Sequence, residues 1–288
     1  MTFEVAEHML NAALEGLYEN REAATIANMA MEFVTGKSKM DRWLSKNEIL
    51  PDTSVQQLQY YTNELLTGKP IQYVIGEAWF AGLCLHVTPD TLIPRPETEE
   101  LVNWCATWAG ANIKSSAPLK ILEVGTGSGC IAIALQKKLP IAHITAVDIS
   151  KEAIQVATAN AVANNAAITF ISLDFLDEKK WLALDSYDII ISNPPYIAET
   201  EKNNIANHVL NFEPHTALFV PDNDVLVFYS AIANFGKSNL QPGGALFFEI
   251  NQLLGAETEK LLQEKNYSTT LRKDLFENER MILAVYNQ

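Results

Sequence analysis

Cysteine is scarce in this sequence. Cys84, Cys105 and Cys130 are the only three in 288 residues, they form no C-x-x-C pair, and they leave an odd thiol. That pattern argues against a disulfide framework and a zinc site and fits a reducing compartment. The five histidines, at 8, 86, 143, 208 and 215, are scattered without metal-ligand spacing, so no metal is expected. Basic residues are also few: 21 Lys and Arg against 35 Asp and Glu give a net charge of −14. A surface of that sign repels phosphate backbones and disfavours capture of duplex nucleic acid. No apolar run approaches the ~18–20 residues of a membrane span, and Met1-Thr2-Phe3-Glu4 opens with no basic or apolar signal segment. Repeats and low-complexity tracts are absent. What is abundant is core material: 48% hydrophobic against 19% charged residues, in a length that suits two domains. The expectation is a soluble, cytoplasmic, monomeric protein with no membrane contact.

Residues 1–70 read as helices. Phe3, Ala6, Leu10, Ala13, Leu14 and Leu17 recur every three to four positions, and Ala23, Ile26, Ala27, Ala30 and Phe33 repeat the pattern up to Gly36. Shorter helices are predicted at 38–46 and 53–67. Lys37, Lys39, Arg42 and Lys46 form a small basic strip, either a solvated helix face or a contact with an RNA-containing partner. Residues 71–88 alternate β-branched and aromatic residues around Gly76 and Gly82 and predict a β-hairpin, so 71–90 is read as the connector to a second domain at 91–288. A helix is predicted from Pro96, and a loop through Lys114-Ser115-Ser116. Strands at 119–124, 143–148, 167–172, 187–192 and 245–250 then alternate with helices, ending in two strands near 267–272 and 281–286. This is the pattern of an α/β, mostly parallel sheet covered on both faces, with ligands beyond the carboxyl ends of its strands.

Two segments in that alternation carry chemistry. Glu123-Val124-Gly125-Thr126-Gly127-Ser128-Gly129 links a predicted strand to a predicted helix, where glycines let backbone approach a ligand. Cys130 stands where a dinucleotide fingerprint wants glycine, and no lysine supports a phosphate-cradling loop. Asp148 closes the next strand; alone it could cap a helix, but behind the glycine loop it is placed to accept ribose hydroxyls. Phe175, after Asp174, is either core or a wall for a base. The second segment, Asn193-Pro194-Pro195-Tyr196, follows the strand YDIIIS. Its prolines fix the turn so that the Asn193 amide and the Pro194 carbonyl face a planar –NH₂ group together, with Tyr196 as a flat wall. The implied chemistry is methylation of an amide or exocyclic amine, driven by orientation, with no general base required.

The glycine loop resembles the first motif of S-adenosylmethionine-dependent methyltransferases. Over nearly its whole length the chain is similar to the release-factor glutamine N5-methyltransferase family (HemK/PrmC type). The resemblance rests on Thr91-Leu92-Ile93-Pro94-Arg95-Pro96-Glu97-Thr98-Glu99, the loop at 123–129, Asp148-Ile149-Ser150, the tetrad 193–196 with Ile197, Glu213-Pro214, and Gly243-Gly244 before Glu249. It implies a class I S-adenosylmethionine-dependent methyltransferase fold, Rossmann-like, behind a small all-α N-terminal domain; residues 1–70 contain no catalytic constellation and are expected to recognise the protein substrate. It implies S-adenosyl-L-methionine as cofactor, held by Gly125, Thr126, Gly127, Ser128, Gly129, Asp148, Phe175 and Asn193. The methyl acceptor it implies is the glutamine of the Gly-Gly-Gln motif of class I peptide chain release factors, bound by Asn193, Pro194, Pro195 and Tyr196, with Asn193, Pro194 and Tyr196 catalytic. The chain departs from the family at Asn251 and Leu254, where glycine and glutamine are common. The tetrad is shared with adenine and cytosine amino-methyltransferases, so an enzyme acting on a nucleobase is the alternative. A cofactor-binding scaffold without activity is a third reading, against which the intact tetrad speaks.

Overall fold

The computed structural model describes residues 1–113 and 117–287; the loop predicted through Lys114-Ser115-Ser116 lies outside them. The helices are α1 (Phe3–Leu14), α2 (Asn20–Thr35), α3 (Lys39–Leu44), α4 (Asp52–Leu66), α5 (Ile71–Ile75), α6 (Pro96–Asn112), α7 (Cys130–Lys138), α8 (Lys151–Ala163), α9 (Asn207–Phe212), α10 (Val227–Asn239) and α11 (Gly255–Glu264). The strands are β1 (Glu77–Phe80), β2 (Leu83–His86), β3 (Lys120–Val124), β4 (His143–Asp148), β5 (Ile168–Ser172), β6 (Tyr187–Ser192), β7 (Ile197–Ala198), β8 (Phe219–Val220), β9 (Leu240–Glu249), β10 (Tyr267–Lys273) and β11 (Glu279–Tyr286). They form two compact units. One comprises Met1–Glu77 with Ala206–Phe212, the other Ala78–Ile205 with the chain from Glu213 onward.

In the helical unit, the Thr2 hydroxyl caps α1, the Ser38 hydroxyl caps α3, and Gly36 ends α2 in a left-handed conformation. The apolar stripes meet in one core around Leu10, Leu14, Ala27, Met31 and Leu65. The basic strip is largely paired. Arg42 is buried, donating to the Lys37 carbonyl and to Asn28 Oδ1 with Glu7 at 3.5 Å, while Lys37 and Lys46 face Glu48 and Glu4. Residues 71–75, read as the start of the hairpin, are helical. Ile71 is buried, Val74 and Ile75 pack on the same core at helical spacing, and Gly76 closes the turn with φ 78°. Packing overrides the β-propensity of these side chains. The hairpin therefore begins at Glu77, and Ala81 and Gly82 turn it with positive φ at both central positions, as a type I′ turn requires.

The second unit contains a seven-stranded sheet of order β10-β11-β9-β6-β3-β4-β5. The pairs β3–β4, β4–β5, β3–β6 and β6–β9 are parallel; β11 runs antiparallel to β9 and β10. This mostly parallel order is the α/β architecture expected. Neighbouring residues go to opposite faces: Ile121, Ile189, Ile191 and Phe247 join one core with α6 and α7, and Leu122, Ile190, Leu246 and Phe248 the other with α10. Burial on both faces explains why these strands read as unbroken apolar runs. The order reverses around β3, between β4 and β6, so the carboxyl ends of β3, β4 and β6 open on one crevice. The hairpin is fastened to α8 by two side chains one turn apart. Asn160 accepts from the His86 N–H at 2.7 Å and donates to the carbonyls of His86 and Ser128, and Asn164 donates to the Cys84 carbonyl.

Candidate active site

A cavity of about 350 Å³ lies at those strand ends, lined among others by Gly125, Gly127, Asp148, Phe175, Asn193, Pro194 and Pro195. The structure thus brings together seven of the residues singled out in the sequence. Thr126, Ser128, Gly129 and Tyr196 are outside this lining, and each has a different physical task.

In the glycine loop, Gly125 and Gly127 take φ of 77° and 52°, and a Cβ built on either meets nothing within 4 Å. The backbone there is glycine-specific and the space above it is open to a ligand. Gly129 also has positive φ, yet its reason is packing: a Cβ would come within 3.1 Å of Ala157 Cβ and 3.3 Å of Ile133 Cδ1. Gly129 lets the loop close onto α8, so its place in the expected cofactor-binding set is indirect. Thr126 is buried and its hydroxyl donates to Glu123 Oε2 at 2.7 Å, where the Ala132 N–H also donates. Glu123 Oε1 and the buried Ser128 Oγ have no hydrogen-bond partner among the described residues. Burial pushes the Glu123 carboxyl up to about 8, so near neutral pH this acid holds its proton. Burial likewise raises the Cys130 thiol, which excludes a thiolate nucleophile there.

Asp148, at the end of β4, does not cap α8; Ser150 does, its hydroxyl accepting from the Ala153 N–H. Asp148 instead accepts from the N–H of Gly127 on Oδ2 and of Ser150 on Oδ1, both at 2.9 Å. The Ile149 N–H also faces the carboxylate, which leaves at least one of its roughly four acceptor positions open. Burial raises its pKa against the lowering effect of these backbone N–H groups. Phe175 is both core and wall: its ring packs against Phe235 and Trp181, the Trp181 indole N–H donates to its carbonyl, and it still lines the cavity. Open space over two glycines, an acceptor-only carboxylate beside it and an aromatic face suit a nucleoside with a charged tail.

The tetrad follows β6, whose last residue, Ser192, donates to the Val124 carbonyl at 2.7 Å and ties the ends of β6 and β3 together. Asn193 Nδ2 donates to Thr98 Oγ1 at 3.2 Å, and the Thr98 hydroxyl donates to Glu249 Oε2 at 2.6 Å. The register explains the meeting: Ile191 of β6 pairs with Phe247 of β9, and two residues on come Asn193 and Glu249. Glu249 is buried and its carboxyl is pushed up to about 7. Tyr196 packs against the core of the α10 face, and burial raises its hydroxyl so that it stays protonated. Asn251, the family departure, donates from Nδ2 to the Tyr196 carbonyl at 3.3 Å, a bond that glycine could not make. Arg95 and Glu213, quoted in the sequence without a task, form an ion pair at 2.6 Å, and Glu213 also accepts from the Ile93 N–H. Thr98 and Glu249 were visible only as parts of motifs. Their roles depend on contacts 95 and 151 residues away in sequence.

Comparison with known proteins follows the same division of the chain. Residues 8–76 match the PrmC N-terminal domain and residues 111–217 the Methyltransferase small domain. In fold the chain is similar to the hMettl16 catalytic domain, solved in complex with MAT2A 3'UTR hairpin 6, with a TM-score of 0.54, 16% identity and 82% of each chain covered. The release factor glutamine methyltransferase of Bacteroides thetaiotaomicron is 38% identical, over 96% of this chain and 97% of that one. That of Flavobacterium psychrophilum is 44% identical over 94% of both. With identity of that level over more than nine-tenths of the chain, the chain belongs to the release factor glutamine methyltransferase family.

Proposed function

We propose that this chain transfers a methyl group from S-adenosyl-L-methionine to the side-chain amide nitrogen of the glutamine in the Gly-Gly-Gln motif of class I peptide chain release factors. The observation that carries this reading is the Asn193 amide, fixed through its nitrogen and lining the same cavity as Gly125, Gly127 and Asp148. S-adenosylmethionine supplies an electrophilic methyl carbon and a thioether leaving group. Gly125 and Gly127 give it a close approach to backbone, Asp148 takes the ribose hydroxyls on its remaining lone pairs, and Phe175 covers the adenine. Thr126, Ser128 and Gly129 hold the loop in shape.

Asn193 Oδ1 and the Pro194 carbonyl accept the two hydrogens of the glutamine –NH₂ and turn the nitrogen lone pair toward the methyl carbon. As the N–C bond forms, positive charge grows on that nitrogen, and the same two oxygens stabilise it. The surplus proton passes to water. Tyr196, kept neutral, serves as a wall. Glu123 and Glu249 do not line the cavity and are not proposed as bases. The helical unit recognises the protein substrate, since none of its residues lines this cavity. The net charge of −14 supports a monomeric enzyme without duplex nucleic acid partners and weighs against the nucleobase alternative, and action on release factors fits a cytoplasmic enzyme. Among the described residues no helix is long and apolar enough to cross a membrane.

The test is methyl transfer with purified release factor, its Gln→Asn loop variant, DNA and RNA in parallel. Transfer to the native factor alone is expected. Transfer to DNA or RNA with none to the factor refutes the reading.

A further inference from the structure

Thr98 opens α6 inside the I-P-R-P-E-T-E run, and its side chain stands between Asn193 and Glu249. An amide side chain has one donor end and one acceptor end, and only its partners decide which way it faces. A carboxylate accepts only. With Glu249 ionised, the Thr98 hydrogen must go to Glu249, at 2.6 Å, and Thr98 Oγ1 can then only accept. The group facing it must be a donor, so the Asn193 nitrogen is drawn to Thr98 and Oδ1 is left for another partner.

We infer that Thr98 and Glu249 form a positioning relay that sets the direction of the Asn193 amide and so makes its oxygen the acceptor for the substrate –NH₂. The inference deepens the proposed methyl transfer and rests on that reading for the identity of the acceptor. Neither Thr98 nor Glu249 lines the cavity, so both act through Asn193. Reversal is built into the same geometry. A protonated Glu249 can donate to Thr98, the Thr98 hydrogen is then free to point at Asn193, and the amide has reason to present its oxygen inward. Glu249 is faced by Arg280 of β11, by Arg95 and Glu97 at the start of α6, by Tyr196 of the tetrad, by Tyr229 of α10 and by Cys130 of α7. The two arginines favour the carboxylate and Glu97 and burial oppose it, which leaves its ionisation near neutral pH.

Two measurements test the relay on the full chain. The first needs neither cofactor nor substrate: the Asn193 side-chain amide signals are followed by ¹⁵N NMR from pH 5.5 to 8.5, assigned by their loss in Asn193→Ala. They are expected to titrate in the wild type and to stop titrating in Glu249→Gln and in Thr98→Val. A titration that persists unchanged in Thr98→Val overturns the inference. The second is steady-state kinetics with release factor. Thr98→Val should lower kcat about 10²-fold, the scale of a misplaced reacting group, with KM and cofactor Kd within about twofold, and Thr98→Ser should restore most of it. Wild-type kcat should fall as pH drops below about 7, and Glu249→Gln should lose that inflection. An active wild type with an undiminished Thr98→Val overturns the relay. A wild type that does not methylate the factor overturns the proposed function instead, while the amide titration still decides the relay.

Discussion

Replacing Asp148 with alanine separates cofactor binding from loop architecture. Its two carboxylate oxygens accept one backbone N–H each, from Gly127 and Ser150, at 2.9 Å. The remaining lone pairs are those proposed for the ribose. Loss of hydrogen bonds to a charged acceptor costs ~1.5–3 kcal/mol, which corresponds to a roughly 10- to 150-fold weaker Kd for S-adenosylmethionine. Folding should suffer less. Burial raises the pKa of this carboxyl, so its charge is held at some expense and removing it returns part of what the two N–H bonds contributed. Asp148→Asn is the companion variant. It keeps one acceptor oxygen but turns an –NH₂ toward one of two N–H donors, so it should bind nearly as weakly as the alanine. Calorimetric titration gives the Kd, and a thermal melt of each variant reports whether the loop has collapsed. Affinity should also decline as pH falls through the raised pKa of Asp148, a trend absent from Asp148→Asn. An unchanged Kd in a folded Asp148→Ala would falsify the ribose assignment.

Asn193→Ala should lower kcat by about 10²–10³, on the order of 3–4 kcal/mol, in single-turnover methyl transfer, with cofactor affinity little changed. Asn193→Asp should be no better, because it offers Thr98 Oγ1 a second acceptor in place of the donor Nδ2; recovery of activity in that variant contradicts the orientation argument. Asn160→Leu removes the side-chain bonds to the N–H and carbonyl of His86 and to the carbonyl of Ser128, and urea unfolding should show a loss of about 2–4 kcal/mol; a loss under half that would show that the hairpin is fastened elsewhere. Glu123 has a folded pKa of about 8 against an ordinary 4.5, so the stability it contributes is present below pH ~4.5 and lost as pH rises through about 8. Wild-type melting temperature should therefore drop more between pH 6 and 8.5 than that of Glu123→Gln, and parallel curves would show that the acid is ionised throughout.

The sheet was legible because its signals are local. Strands such as LKILEV and YDIIIS are apolar at their centres, as burial on both faces demands, and the strands of this sheet end at or just before a residue whose type already suggests chemistry: Gly125, Asp148, Asn193. Legibility failed where packing overruled local preference. Ile71–Ile75 carries β-branched side chains yet is helical, because Ile71, Val74 and Ile75 complete a core formed by residues far earlier in the chain. The two-residue strands Ile197–Ala198 and Phe219–Val220 pair with each other across a long connection and leave no periodicity to read. Asn160 carries no local signal in the sequence; it is buried and supplies the His86 backbone with the donor and acceptor of a neighbouring strand.

The two buried acids follow one rule that no single motif displays. Glu123 is the penultimate residue of β3 and Glu249 the last of β9, both on the face covered by α6 and α7, and each accepts from a threonine hydroxyl, Thr126 or Thr98, at 2.7 and 2.6 Å. Neither acid touches the cavity, yet one lies behind the glycine loop and the other behind the tetrad. Burying a carboxyl is costly, and its compensation at Glu249 is directional: an ionised acid that faces one hydroxyl fixes where that hydrogen points. Through Thr98 this orients the Asn193 amide, whereas Glu123, protonated near neutral pH, ties the loop between β3 and α7 by accepting from Thr126 and the Ala132 N–H on one oxygen. For a transfer whose rate depends on holding a nitrogen lone pair in line, with no proton to be taken in the rate-limiting step, rigid acceptors matter more than a tuned base. In such a mechanism the buried acids Glu123 and Glu249 serve structure and orientation rather than proton transfer, since neither lines the cavity.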